Sequence, residues 1–423
     1  MILRSAVLLY LVMILPWLYP PTAHGEDPSS DSSVSVGNIA DDRIEETPHQ
    51  KRIRIIPLPA FSTTKNEGET YGNLTAFLFT NEAGEVYAIM APFVVYNKIM
   101  GVKMAWQLLG YMEGDRDFVA KVSYSTKINR EFRFEYKDPR FSHGRFVIEG
   151  GVLYFKESTA RFFGLTQESQ EEDETNFTQR EFTARFLFGI NLKKTLKLSL
   201  SERYREAKIQ EGGVDRLSFI GELFPTLNGL EGATILGHRL TLTQDSRNDR
   251  TTPTYGKFID IFSEWGHVFH EGHAVPFSRY GLQAKGWLPF KDEWLILVPN
   301  LQMQWLSGSD VPFFERSALG GEDTLRAYGL GRFVDDHFIL MNLETRIRVA
   351  RLVIWDVMTE EEIAPFVDMG RVYSTLRRHF FDNWEVNPGF GMRVLVRPNV
   401  VGRFDMAYGR EGPTFFVGLN FPF

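Results

Sequence analysis

The sequence predicts an all-β protein, a transmembrane antiparallel β-barrel of about sixteen strands. Three observations support this fold class. Short segments of alternating apolar and polar residues recur from about Arg54 to the C-terminus. A helical period of 3.6 residues is not sustained in this region. No run of about 18 apolar residues follows the N-terminal segment, so we do not expect the chain to cross a bilayer as helices.

Alternation is clearest in the last quarter of the chain. Between Ile339 and Val349 the odd positions are mostly apolar, whereas even positions carry Glu344, Arg346 and Arg348. A strand with one apolar face and one charged face suits a sheet between hydrocarbon and a polar interior. We therefore expect the charged face to line the lumen of the barrel.

The C-terminal residues predict the strand that closes the barrel. Every second residue there is large and apolar, and we expect these side chains on the lipid-facing side. A core strand of a soluble β protein is the alternative. The barrel-closing residues are Phe415, Val417, Leu419, Phe421 and Phe423.

The strand count follows from the spacing of the segments. Roughly 370 residues at about 23 per strand and connection give about sixteen strands. The start is ambiguous by one hairpin, since Gly72–Thr80 is either the first strand or a segment that precedes it. Short turns alternate with longer polar loops, as in outer-membrane barrels. The longer loops are expected at Gly164–Asn176, Gln210–Gly232, His267–Pro276, Leu306–Asp335 and Ser374–Asn387.

The N-terminus predicts export. A short basic start precedes the apolar stretch Ala6–Tyr19, and a small-residue cleavage site ends at Gly25, which is the pattern of a secretory signal peptide. An N-terminal membrane helix is the alternative. The polar segment that follows is rich in Ser, Asp and Glu, which is typical of disorder. We expect a signal peptide at 1–25, a disordered periplasmic linker at 26–53 and an outer-membrane barrel at 54–423.

Composition argues against one class of partner and excludes one source of stability. The net charge is −7 with no basic block, so we do not expect nucleic acid as a partner. The chain has no cysteine, so disulfides cannot stabilise the exported protein. In lipid each unpaired backbone group costs several kcal/mol, so a sheet must close on itself there. Outer-membrane lipid and lipopolysaccharide are the expected surroundings.

Four stretches carry a more specific signal. The chain resembles the bacterial surface-antigen barrels, in the superfamily of outer-membrane insertases and two-partner-secretion transporters. The resemblance is close over Leu240–Phe423 and looser over Ile56–Lys208. The stretches are LTLTQDSRNDRTTPTYGKF (Leu240–Phe258), FFERSALGGEDTLRAYGLGRF (Phe313–Phe333), APFVDMGRVY (Ala364–Tyr373) and PGFGMRVLVRPNVVGRFDMAYG (Pro388–Gly409).

The resemblance implies a role for Arg326. In that superfamily the long sixth extracellular loop folds into the lumen, and its arginine pairs with an acidic residue of the wall that matches Asp368. Glu344 is a second candidate acceptor, and a solvated surface arginine is the alternative. Alternation places Asp368 on one face with Phe366 and Gly370, and a guanidinium can bind a carboxylate through two bonds. The loop motif comprises Gly320, Gly321, Leu325 and Tyr328.

Two departures from the family pattern stand out. Ala327 occupies a position where the motif usually has glycine, and its methyl group disfavours positive φ. Family members that handle substrates also carry periplasmic docking domains, and we expect no such domain in the polar stretch before the first strand. A separate periplasmic protein partner would then supply that contact.

Other candidate sites are weaker. His267, His270 and His273 have a spacing that zinc sites use, but a solvated extracellular loop is the commoner explanation. The acidic run in QEEDET indicates a solvated loop or a weak cation site. Neither G-x-S-x-G nor H-E-x-x-H occurs, so catalytic residues, metals and cofactors are not predicted. A barrel-embedded acyl hydrolase without a motif remains a minor alternative.

The resemblance, taken with the predicted barrel, implies a non-enzymatic component of protein or lipid insertion or translocation at the outer membrane. The main alternative is a passive pore or structural barrel that has kept the scaffold without translocation activity. Opening would occur between the first and last strands, while the loop held by Arg326 keeps the shape of the barrel.

Overall fold

The computed structural model describes residues 52–81, 86–112, 116–270, 272–354, 357–375, 382–396, 400–419 and 421–423. The expected signal peptide and nearly all of the expected linker lie outside these residues. The first strand begins at Arg52, two residues before the expected start of the barrel. The hairpin ambiguity is also resolved, because Gly72–Thr80 belongs to the second strand.

Nearly all of the described chain forms strands. In chain order they are β1 (Arg52–Thr64), β2 (Gly68–Thr80), β3 (Val86–Met90), β4 (Phe93–Asn97), β5 (Gly101–Met112), β6 (Arg116–Ser125), β7 (Arg130–Arg140), β8 (Phe146–Phe162), β9 (Thr175–Lys193), β10 (Leu196–Glu211), β11 (Ala233–Asp245), β12 (Gly256–His270), β13 (His273–Phe290), β14 (Leu295–Ser307), β15 (Ser317–Leu319), β16 (Phe333–Asp335), β17 (His337–Ile354), β18 (Val357–Tyr373), β19 (Glu385–Val396), β20 (Val400–Gly409) and β21 (Gly412–Leu419).

Nineteen of these strands form one antiparallel sheet, in which each strand pairs with its neighbours in sequence. Strands β3 and β4 are halves of one interrupted strand, because both pair with β2 and with β5. The break lies at Pro92, which has no N–H to donate to the ladder. The strand count exceeds the sixteen expected, since hairpins such as β20–β21 use fewer than 23 residues per strand.

The sheet curls into a barrel, which confirms the predicted fold class. Strands β1 and β21 lie side by side with Cα atoms within 8 Å. The described backbone pairings run from β1–β2 to β20–β21 and do not include a ladder between β1 and β21. We call this contact the seam.

Side chains alternate between the two faces of the barrel wall. On β17, Met341 and Leu343 are exposed on the outer face, whereas Asn342 and Glu344 are buried in the interior. The outer face of the wall is an apolar belt, as lipid requires. No helix in the described part of the chain is long and apolar enough to span a membrane.

The longest described connections lie at one end of the barrel. The loop end carries residues 163–174, 212–232, 308–336, 374–375 and 382–384, and the turn end carries connections such as 194–195 and 291–294. The long loop expected at His267–Pro276 is absent, because β12 continues to His270 and β13 begins at His273. Pairing of β12 with β13 leaves only a tight turn there.

Candidate functional site

The chain between β14 and β17, Gly308–Asp336, enters the barrel, and we call it the lumenal loop. Gly320 and Gly321 both have positive φ, 115° and 104°, a conformation that glycine adopts without steric cost. They begin a turn in which the Gly321 N–H donates to the Tyr328 carbonyl at 3.0 Å. The residues that follow this glycine pair, at the tip of the loop, therefore face the barrel wall.

Arg326 lies at this tip and is fully buried. Its Nε and Nη2 donate to the two carboxylate oxygens of Asp368 at 2.9 and 2.8 Å, and its Nη1 donates to Glu344 at 3.0 Å. Its backbone N–H adds a bond to Asp368 at 3.2 Å. The guanidinium also lies 3.3 Å from the centre of the Phe366 ring. The structure thus brings together the loop arginine and both candidate acceptors.

Two further wall arginines complete a balanced cluster. Arg393 contacts Glu344 at 2.9 Å and Asp405 at 2.7 Å, and Arg346 contacts Glu344 at 3.0 Å. All are almost wholly buried. The Arg326 cluster therefore contains three guanidinium groups and three carboxylates: Arg326, Arg346, Arg393, Glu344, Asp368 and Asp405.

The surroundings of Arg326 keep its guanidinium group protonated. Burial alone would lower the pKa of its guanidinium, but Asp368, Glu344 and Asp405 outweigh burial and raise that pKa above its ordinary value. Charge-assisted bonds with two parallel contacts are the strong form of an ion pair. The loop tip is accordingly held by a permanent cation.

The remaining motif residues pack around this contact. Leu325 and Tyr328 are fully buried, as is Ala327, which has no positive φ. A Cβ added to Gly370 would lie 3.1 Å from the Leu319 side chain and 3.3 Å from that of Leu325. The glycine therefore leaves the space into which the loop packs. The Tyr328 hydroxyl donates to a carboxylate of Glu385.

A second ionic cluster, which sequence reasoning missed, holds the start of the lumenal loop. Glu315 accepts bonds from Arg203 at 2.6 Å, from Arg205 at 2.8 Å and from Arg279 at 2.7 Å. Glu264 on β12 contacts Arg203 at 2.7 Å and Arg279 at 3.2 Å. Here the loop supplies the anion and the wall supplies the cations, the reverse of the Arg326 cluster.

The pKa of Glu315 reflects this setting. Burial alone would raise it, but the guanidinium groups of Arg205, Arg203 and Arg279 hold the pKa well below its usual range. One sequence signal could have found two of the wall arginines of this Glu315 cluster, though not their contact with Glu315. Arg203 and Arg205 flank the outward Tyr204 on β10, so alternation places both arginines on the lumenal face.

The C-terminal residues depart from the sequence prediction. Phe415 and Val417 alternate with the buried Phe416 on β21, as a lipid-facing position requires. The strand ends at Leu419, whose side chain lies outside the described residues. Phe421 and Phe423 were expected in the same lipid-facing row, and the structure contradicts this.

Both aromatic rings turn toward the lumenal arginines. Arg346 lies 3.4 Å from the centre of the Phe421 ring, and Arg326 lies 5.6 Å from that of Phe423. Phe423 also packs against the buried cluster of Trp287, Ile296 and Val298. Pairing with β20 stops at Leu419, and cation–π attraction then favours the lumenal position.

The histidines do not form a site in the structure. His267 and His270 end β12, and His273 begins β13. Within the described ranges, no group of three or more metal-ligating side chains is close enough to hold an ion.

An antiparallel barrel with an apolar outer belt and a charged lumen filled by a long loop is an outer-membrane protein. A family model described as the Omp85 superfamily domain matches residues 116–410. The chain belongs to the Omp85 superfamily.

A solved structure of BamA shows a similar fold at low sequence identity. BamA from Haemophilus ducreyi lacking POTRA domains 1–3 is 13% identical, with a TM-score of 0.52, over 89% of this chain and 76% of that one. CdiB from Acinetobacter baumannii is 11% identical, with a TM-score of 0.38, over 86% of this chain and 58% of that one. No curated protein matches the chain.

Proposed function

We propose that this barrel is a component of protein insertion or translocation at the outer membrane and that it acts by opening laterally at the seam. Membership of the Omp85 superfamily, together with a fold similar to that of BamA, supports this class of function. The observation that carries the mechanism is the seam itself. Strands β1 and β21 adjoin without a described backbone ladder, and unpaired edges are the weakest joint of a sheet in lipid.

The loop end of the seam is held by ionic contacts. Lys65, in the β1–β2 turn, contacts Glu411 of the β20–β21 turn at 3.3 Å. Arg332 of the lumenal loop contacts the same carboxylate at 2.5 Å. Asn66 also donates to the Leu330 carbonyl at 3.0 Å. These contacts join the lumenal loop to both turns, and they must break before the seam can open.

The two buried clusters support the shape of the barrel during opening. The Arg326 cluster joins the lumenal loop to β17, β18, β19 and β20, and the Glu315 cluster joins it to β10 and β13. Neither cluster includes a residue of β1 or β2, so the first hairpin can move while the clusters hold the rest of the wall. We propose a separate periplasmic protein as the partner that delivers the client.

A reversible cross-link across the seam tests this function. Because the chain has no cysteine, Lys65→Cys and Glu411→Cys can be joined by a short, cleavable bifunctional thiol reagent. The purified barrel in lipid vesicles should accelerate insertion of a small urea-unfolded outer-membrane β-barrel. The cross-link should abolish this acceleration, and cleavage should restore it.

Matched cysteines at Arg316 and Asp336, which contact each other within the loop, control for the reagent. Equal acceleration with the seam locked would reject lateral opening. Conductance without any acceleration by the unlocked barrel would instead support a passive pore. If no periplasmic protein is recovered with the barrel from its native envelope, the proposal of a periplasmic partner is rejected.

A further inference from the structure

An ionisable pair lies within the apolar outer belt of the barrel. Glu202 on β10 and His238 on β11 are directly paired in the strand register, and the His238 Nδ1 contacts a carboxylate oxygen of Glu202. Both side chains are about half exposed, 50% and 44%. Their outward neighbours are Phe186, Leu200, Tyr204, Leu236, Leu240 and Trp265.

Such a pair is disfavoured against hydrocarbon, which offers no hydrogen bonds. Ionisable residues at membrane depth therefore point to a functional contact. The contact within the chain uses Nδ1 and Oε2, so the ring Nε2 and the other carboxylate oxygen stay available to a partner. Lipid tails cannot supply one.

A shallow groove of about 570 Å³ lies beside the pair on the same outer surface. Small residues at Gly150 and Ala184 form its floor, and Phe134, Phe186 and Tyr204 rise around it. The patch therefore combines a polar centre, a recess on one side and, at Trp265 on β12, a projecting ring on the other. We call this surface the belt patch.

We propose that the belt patch is a self-association surface that takes a second copy of this chain in the same membrane orientation. A two-fold axis along the membrane normal, passing between β10 and β11, maps the patch onto itself. Because Glu202 and His238 lie side by side, the rotation sets Glu202 of one copy opposite His238 of the other. A carboxylate of one copy then faces an imidazole ring of the other twice.

The same rotation also places a projecting part of each copy against a recess in the other. Strand β12 of the second copy faces β9 of the first, so the projecting Trp265 ring approaches the recess on the side lined by Phe186. Aromatic side chains that fill a recess are typical anchors of an interface. An anionic lipid headgroup fits less well, since its phosphate would meet the Glu202 carboxylate beside His238.

Cysteine cross-linking of the full-length barrel in lipid bilayers tests the proposal. Leu240→Cys places a thiol next to the axis, and Met406→Cys places one on the outer face of β20, away from the patch. A short bifunctional thiol reagent should join two copies through position 240 and not through position 406. Mass measurement in nanodiscs should show a dimer.

Variants of the pair separate association from folding. Glu202→Leu with His238→Leu suits a lipid-facing surface and should raise the dimer dissociation constant at least tenfold. The exchanged variant, Glu202→His with His238→Glu, keeps a carboxylate facing an imidazole ring and should retain the dimer. Folding is checked by heat-modifiable migration in gels.

Four results would overturn the proposal. They are a monomer at every protein-to-lipid ratio, a dimer unaffected by the leucine variants, a cross-link at position 240 to a different protein only, and a lipid adduct that depends on Glu202 without any dimer.

Discussion

Replacement of Arg326 by alanine tests whether the ionic contact holds the lumenal loop. The change removes two side-chain bonds to Asp368 and one to Glu344 and leaves both carboxylates buried without that cation. Removing one partner of a buried ion pair costs about 3–5 kcal/mol. Since about 1.4 kcal/mol corresponds to a factor of ten, the undocked fraction of the loop should rise by a factor between about 10² and 4 × 10³.

Planar-bilayer conductance of the purified barrel measures this fraction, because an undocked loop unblocks the lumen. Arg326→Ala should open far more often than the unmodified protein. Arg326→Lys should lie between them, since lysine keeps the charge but cannot bind both carboxylate oxygens in parallel.

The matched control is Arg316→Ala. Arg316 contacts Asp336 within the same loop, so its loss breaks no bond between loop and wall. If folded Arg326→Ala opens no more often than Arg316→Ala, the loop is held by packing and the ionic argument fails.

Three further outcomes follow from the same geometry. Gly370→Val should displace the loop at a cost of about 1–3 kcal/mol. The control Gly402→Val should leave the loop in place, because its added Cβ has no neighbour closer than 3.7 Å. Equal thermal stability of the two variants would contradict this. Glu411→Gln weakens charge-assisted bonds worth about 1.5–3 kcal/mol and should speed amide hydrogen exchange in the β1–β2 turn, which an unchanged exchange rate would refute. The pKa of Glu315 is depressed, so its contribution to loop docking is complete above the ordinary glutamate pKa of about 4.3 and is lost as the pH falls below that value. Conductance should therefore stay constant from pH 7 to about pH 5. A rise in conductance within that range would count against the Glu315 cluster.

The Arg326 cluster could be anticipated because its parts lie in recognisable local patterns. Alternation on β18 places Asp368 and Gly370 on the lumenal face, and the loop motif supplies the arginine. Glu344 follows from the same period-two pattern on β17. These inferences need only the face of each strand, which the sequence carries directly.

The Glu315 cluster needs more than the face of a strand. It joins one loop residue to β10, β12 and β13, whose relative heights depend on register and on the tilt of the whole barrel. Alternation assigns Arg203 and Arg279 to the lumen but does not place them opposite Glu315. Only the closed sheet does so.

The C-terminus shows where a period-two pattern loses its meaning. Large apolar residues continue to Phe423, but pairing with β20 ends at Leu419. Beyond the last paired residue the backbone is free to turn, and the side chains then follow their strongest contacts. For Phe421 that contact is the guanidinium of Arg346.

The two clusters also predict how the loop leaves the wall. Strands β15 and β16 pair Ser317 with Asp335 and Leu319 with Phe333, so the two arms of the loop are joined and should move as one body. Contacts that restrain one body independently contribute additive free energies, to within about 0.5 kcal/mol. The double variant Arg326→Ala/Glu315→Ala should therefore open with the product of the two single-variant factors. An opening frequency no higher than that of the stronger single variant would show instead that each arm undocks alone, and that β15–β16 does not couple them.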